Sequence, residues 1–344
     1  MIREGNIKYK VIPLSYIHIG KGSTYDPFSF VIKNGYAYNI NQSAYIEYLK
    51  KTANTEFNKV LESEDYKSIL RYLYDCFDPD NHLYLSCYPV KPDIEFKFLE
   101  HIKNPDNQNQ IWAFAKNALG VPYIPGSSVK GAIRSAIIAA LQSKIRLTDL
   151  KRDFEFELLA GENDKKVTVS SDPFKYLKIC DAPFSDDYLD IECIEQTYID
   201  ENKSSVPIYQ ETIKPSELPI TKTTLTLSDN FLKHKGIQYL FSTQMENNDK
   251  ILSIIKTINW FYNYKIDELN KKITNPEIKE VYNPIILELK KLISNNQSRV
   301  FILHIGKGAG TSLLQTQTPS SEFPKTINLV DKKPIGWLKF EFYK

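Results

Sequence analysis

Two hydrophobic periods run through the chain. Alternating apolar positions over Ile7–Ile17, Val167–Ser170, Tyr176–Cys180, Tyr188–Tyr198, Leu218–Leu227, Arg299–Ile305 and Ile335–Tyr343 predict strands. A period near 3.6 predicts helices over Ser43–Lys50, Glu62–Asp75, Ser127–Arg146, Asp249–Ile273 and Pro284–Ile293, the last with Asn283 as its cap. In the fourth helix Ile251, Ile254, Ile255, Ile258, Phe261, Tyr262, Ile266 and Leu269 form a single core-facing stripe. Strands and helices do not alternate regularly, so the expected class is α+β with mixed or antiparallel sheets rather than repeated βαβ units. Polar stretches at Lys103–Gln110 and Gly310–Pro324 predict exposed loops.

Composition adds a scale. A chain of 344 residues favours two domains, and the 43 aromatic side chains supply ample material for their cores. The longest aliphatic run, Ala136 to Leu141, is far below a membrane span, and Met1 to Lys10 lacks an apolar signal core. No membrane partner and a cytoplasmic location are therefore expected. Cys76, Cys87, Cys180 and Cys193 form no C-x-x-C pair, so neither a disulfide framework nor a zinc site is expected.

The net charge of +2 is unevenly placed. Between Asp153 and Glu201 fourteen acids face four lysines, leaving the rest of the chain at +12. A polyanion site is expected outside that segment. Its cluster Asp186, Asp187, Asp190 matches no calcium-loop spacing, and no metal is assigned to it. The acidic run ends near Lys203 and a strand starts near Leu218. The domain boundary is placed between them, giving 1–205 and 206–344.

Glycine carries the sharpest signal. Seven of the 13 glycines fall in three segments: Gly20 and Gly22; Gly126 and Gly131; Gly306, Gly308 and Gly310. Residues 18–22 and 304–308 both read His-Ile-Gly-Lys-Gly, each after a strand-like run, which suggests a duplicated unit whose loop amides, with Lys21 and Lys307, bind anions. Neither copy is a P-loop, because Ser15 and Phe301 stand where glycine is needed and Gly22 and Gly308 where Ser or Thr is. Neither is a dinucleotide fingerprint, since Tyr25 and Thr311 occupy the third glycine position. No cofactor is expected.

The third segment, Pro125-Gly-Ser-Ser-Val-Lys-Gly-Ala-Ile-Arg134, opens a helix. Gly126 follows a proline turn, Ser127 or Ser128 can cap, and Lys130 adds charge to the positive end of the helix dipole. Lys130 and Arg134 are like-charge i,i+4 neighbours, a repulsion that an anionic partner relieves. Gly131 in the first turn suggests close packing over it.

These motifs resemble the RAMP superfamily of CRISPR proteins, and within it the fifth-subunit family of the type III-A (Csm) effector. Lys178-Ile-Cys-Asp-Ala-Pro-Phe184 resembles that family's Val-Ser-Asp-Ser strand, and Val206-Pro-Ile-Tyr-Gln-Glu-Thr-Ile213 its Pro-Leu-Tyr-Arg-Glu segment. The matches follow family order over almost the whole chain. Two departures stand out: Cys180 and Ala182 replace serines, and Gln210 stands where the family commonly has Arg, losing a bidentate donor.

The resemblance implies two ferredoxin-like (RRM-like) domains with antiparallel sheets and packed helices, and no catalytic centre. It implies a subunit capping the filament at the crRNA 3′ end, contacting the RAMP backbone subunit and contributing to crRNA maturation and antiviral defence. Further implied partners are the small helical Csm subunit, target RNA and a host trimming nuclease. Together the readings assign RNA binding to His18, Gly20, Lys21, Gly22, Gly126, Ser127, Ser128, Lys130, Gly131, Arg134, Gly306, Lys307 and Gly308. The rival readings are a metal-independent RAMP endoribonuclease using His18 or His304 as base, and another RAMP cap position in a type III complex.

Overall fold

Along the first strand Ile7, Tyr9 and Val11 are buried while Asn6 and Lys8 are exposed, the pattern of a half-covered sheet. The computed structural model describes residues 5–103, 110–144, 155, 158–159, 172–200, 206–242, 244–295, 299–309 and 325–343. The strand expected at 167–170, most of the loop expected at 103–110 and the one at 310–324 lie outside the described residues.

With strands numbered in chain order, the first sheet runs β13 (Val300–His304), β16 (Trp337–Phe342), β1 (Gly5–Pro13), β12 (Thr221–Leu227), β8 (Leu177–Ile179), every pair antiparallel. The second runs β15 (Lys333–Pro334), β14 (Thr326–Val330), β10 (Leu189–Tyr198), β11 (Val206–Ile213), β6 (Ile111–Phe114), β2 (Gly20–Tyr25). Here β11 and β6 pair in parallel, so the sheet is mixed. The boundary expected at 205/206 falls in the connection between the paired strands β10 and β11, and both sheets draw strands from either side of it. A third sheet, β3 (Phe30–Lys33), β4 (Tyr36–Ile40), β5 (Tyr84–Pro89), and a short pair, β7 (Tyr123–Ile124) with β9 (Ala182–Pro183), complete the strands.

The helices among the described residues include α1 (Gln42–Thr52), α2 (Asn54–Glu62), α3 (Tyr66–Cys76), α4 (Pro92–Lys103), α5 (Gly126–Lys144), α6 (Asn247–Lys272) and α7 (Asn283–Ser294). The eight-residue stripe expected on α6 is buried throughout. With Ile133 and Ile137 of α5 it joins the core beneath the first sheet, where Tyr9 meets Phe301 edge-on at 5.1 Å and Phe301 stacks on Phe340 at 4.9 Å. Val31, Tyr38, Tyr45, Leu49, Phe57 and Phe77 form a separate core between the third sheet and α1–α3. The single helix expected over 62–75 is broken: Glu64 takes φ +50°, and Asp65 caps α3 by accepting from the Lys67 and Ser68 amides.

The second sheet is held by a buried ion pair. Glu211 on β11 is fully buried, and its carboxylate accepts from the Lys116 ammonium at 2.9 Å, the Tyr25 hydroxyl at 2.9 Å and the Phe114 amide at 2.7 Å. Burial works to lower the Lys116 ammonium, yet the facing Glu211 charge and the oxygens of Tyr25 and Tyr88 raise it well above the ordinary lysine value. Replacing Glu211 with Ala leaves that ammonium unpaired in a largely buried site. The expected loss is about 3–5 kcal/mol by urea denaturation; a loss below about 1 kcal/mol means that water already screens the pair.

Candidate nucleic-acid interface

Sheet geometry brings the repeated pentapeptides together. Both β1 and β13 run antiparallel to β16, between them, so they are parallel to each other and leave the sheet at the same edge: Pro13 lies opposite Leu338 and His304 opposite Trp337. The first copy then crosses to the second sheet, where Ile17 bridges Ile213. The second copy folds onto the first, with the Lys307 amide donating to the His18 carbonyl at 2.8 Å. Gly306 has φ +81°, and a β-carbon there would overlap that same carbonyl oxygen.

The copies are not equivalent. A loop was expected after each strand, yet residues 20–25 continue as edge strand β2 against β6, with an irregular register between Gly20 and Thr24 and Gly22 at φ +85°. Only the second copy is a turn. Phe114 on β6 offers the first copy a ladder partner opposite Gly20.

The two copies and the face of α5 enclose a cleft of about 570 Å³. From the expected set His18, Gly20, Gly22, Ser128, Gly131, Gly306 and Lys307 line it, joined by Trp112, Ser135, Tyr262 and His304. His18 is 4% exposed and its Nδ1 lies 2.7 Å from the Glu211 carbonyl; His304 is 7% exposed and its Nε2 lies 3.0 Å from the Ile335 carbonyl. Burial, assisted by the nearby charge of Lys307, lowers the His18 imidazole to about 4. Burial does the same to His304, also to about 4. Lys307 is half-buried over the Trp112 ring at 5.3 Å, and burial lowers its ammonium too. Lys21 is exposed just outside, donating to the Lys116 carbonyl at 3.1 Å and lying over the Tyr123 ring at 4.9 Å.

The start of α5 differs from the sequence reading. Its first amide, at Gly126, already donates to the Asp181 carboxylate at 2.7 Å, and a β-carbon at Gly126 would overlap the Ile179 carbonyl. Arg134 is bound internally, to Glu155 at 3.2 Å and Asp172 at 2.8 Å, with its guanidinium over the Phe174 ring at 4.6 Å. The anion that the Lys130/Arg134 repulsion called for is thus supplied by the chain's own acidic segment. Ser127, Lys130 and Gly308 do not line the cleft; Gly308, at φ +85°, sits against Asn328. Gly131 was expected beneath close packing, but among the described residues nothing beyond its own stretch of helix lies within 4 Å of a β-carbon placed there. It is the open floor of the cleft.

Ser135, Ala132 and Tyr262 were missed. A signal existed for the first two: Ser128, Gly131, Ala132 and Ser135 are small residues at helical spacing, which marks a face that something approaches. Trp112 gave no such signal, being one aromatic in a four-residue strand. Gln210 is fully buried on β11, away from the cleft, with neither amide atom hydrogen-bonded. Asp186, Asp187 and Asp190 hold no metal-like cluster: Ser185 donates to Asp187 at 2.8 Å and Asp190 lies 3.9 Å from Lys214. No helix among the described residues is long and apolar enough to cross a membrane.

A sequence profile of the RAMP superfamily matches residues 12–313. The CRISPR system Cms protein Csm5 of Streptococcus thermophilus is 29% identical over 240 residues, covering 63% of this chain and 64% of that protein, just under two thirds of its length. The Csm5 of Methanocaldococcus jannaschii is 23% identical over 334 residues, covering 90% of this chain and 73% of that protein. The fold is similar to a chain of a Csm–crRNA–target RNA ternary complex of a type III-A CRISPR-Cas system (TM-score 0.62, 18% identity, 98% of this chain and 100% of that one). It is equally similar to T. onnurineus Csm5 (TM-score 0.64, 17% identity, 96% and 99%).

Two outcomes follow from the site's electrostatics. Arg134→Ala strands two carboxylates and removes a ring contact, so a lower melting temperature is expected; unchanged melting would show those ion pairs to be solvated surface contacts. The histidines set a pH dependence. Their folded values near 4 lie below the ordinary 6.5, so the unfolded chain takes up protons first on acidification. Stability is full above about pH 6.5 and falls toward pH 4, by up to about 1.4 kcal/mol per pH unit for each imidazole. Urea midpoints measured between pH 7 and 4.5 should show this fall, and His304→Phe should flatten it.

Proposed function

The chain belongs to the RAMP superfamily, and from that premise we propose that it is a sequence-tolerant RNA-binding subunit of a type III-A Csm particle, capping the filament at the crRNA 3′ end and contributing to guide maturation. The observation that carries this is the meeting of all three glycine segments around one cleft. Residues almost 300 positions apart place glycine backbone, serine hydroxyls and the Lys307 ammonium around a space that the described residues leave open. Cations and small polar groups of this kind hold phosphates and fix register without reading bases. Trp112 adds a flat ring to the wall of the same opening, beneath the Lys307 ammonium. The proposed partners are the crRNA and neighbouring Csm subunits, in line with the complex in which a chain of similar fold sits.

The chain acts without a catalytic centre in this reading. Both cleft histidines are held neutral, and each commits one nitrogen to a backbone carbonyl; the free His18 nitrogen supplies at most the base half of a cleavage, since neither ring is the imidazolium that would protonate the departing 5′-oxygen. Specific cutting of precursor RNA by the purified chain in EDTA, abolished by His18→Ala, would establish the nuclease instead.

Gly131→Ala separates binding from folding. Among the described residues the new methyl meets nothing beyond its own helix, so the helix should gain about 0.5–1 kcal/mol. In a particle reconstituted with crRNA carrying photoreactive uridines, wild-type chain should cross-link at 18–22, 128–135 or 304–309 through the 3′ segment of the guide, and Gly131→Ala should weaken that cross-link. Absence of any cross-link to these residues would end the proposal.

A further inference from the structure

The cleft contains a group that a phosphate cannot satisfy. A carbonyl oxygen only accepts, so the Nδ1 of His18, 2.7 Å from the Glu211 carbonyl, carries its proton, and its Nε2 presents a lone pair. By the same logic the Nε2 of His304 donates to the Ile335 carbonyl, leaving Nδ1 as a bare acceptor, buried and without a hydrogen-bond partner. Among the described residues no group donates to the His18 Nε2 either, and a β-carbon on Gly20 would lie 2.8 Å from it, so the glycine keeps the nitrogen uncovered on that side. The His18 imidazole thus presents a fixed acceptor nitrogen in the wall of the cleft, whereas the His304 Nδ1 is sealed from it. Burial and the adjacent Lys307 keep His18 in this state at neutral pH.

Phosphodiester oxygens are acceptors and are repelled by such nitrogens, whereas Lys307 attracts them. A ligand satisfying both must place hydrogen-bond donors beside its phosphates. In a nucleic acid bound without regard to sequence, the donor that recurs at every residue is the ribose 2′-hydroxyl. We propose that His18 Nε2 receives a ribose 2′-hydroxyl and makes this cleft specific for RNA over DNA. The proposal rests on the RNA-binding reading above and adds the group that chooses the sugar. His18 is the specificity residue here, set in position by the Glu211 carbonyl.

Binding of the full-length chain to a short labelled RNA, to the DNA of the same sequence and to the same RNA with 2′-fluoro sugars tests it. Fluorine preserves the RNA sugar pucker and removes the donor, so no protein variant is needed. RNA should bind about tenfold or more tighter than either analogue, the size of a lost buried hydrogen bond. His18→Phe should bring the three affinities together while leaving the slope of affinity against salt unchanged, because phosphate contacts are retained. Equal affinity of wild-type chain for RNA and 2′-fluoro RNA would overturn the sugar assignment and leave RNA binding standing. Failure to bind any of the three would overturn RNA binding itself, and this assignment with it.

Discussion

The arrangement depends on Glu211. Its carboxylate, fully buried, gathers the Lys116 ammonium, the Tyr25 hydroxyl and the Phe114 amide, and so ties β11 to β6, to β2 and to the residue that begins the path toward α5. Its backbone carbonyl holds His18. One residue therefore sets both the edge on which the first pentapeptide lies and the tautomer of the histidine in it. A buried charge of this kind contributes more to geometry than to net stability, since desolvation offsets most of the attraction.

Charge complementarity inside the chain explains a second feature. The acidic segment, which a polyanion would avoid, is not merely a solvated face: Asp181 occupies the amide at the start of α5, and Glu155 and Asp172 hold Arg134. The helix dipole and its strongest cation are thereby spent on intramolecular anions. What remains for a ligand is the side of α5 one turn further on, where Gly131 is open and Ser128 and Ser135 flank it. The cation that lines the cleft is Lys307. In a RAMP-superfamily chain this division is economical, because the same motif both closes the fold against β8 and exposes a small-residue floor.

The elements with long, regular periods were legible. Helices α5, α6 and α7 and strands β1, β10, β12, β13 and β16 lie within a few residues of where the hydrophobic pattern placed them, because their buried faces repeat often enough to show. Strands β2, β3, β4, β6 and β14 were not, being four to six residues long and stabilised by partners far away in sequence. The break before α3 was missed because it depends on one residue at positive φ and one cap.

Residue identity alone determined that glycine was concentrated in three places, that two of them share one pentapeptide, and that the chain resembled RAMP proteins; these are statements about composition and order, which folding does not change. Only the tertiary structure decided that the copies adopt different conformations, that Arg134 is already neutralised, and that both histidines are neutral, each with one nitrogen held by a backbone carbonyl. Those properties arise from pairings between residues hundreds of positions apart, and a hydrogen bond or a desolvation cost is set by what stands opposite a group, not by what precedes it in the chain.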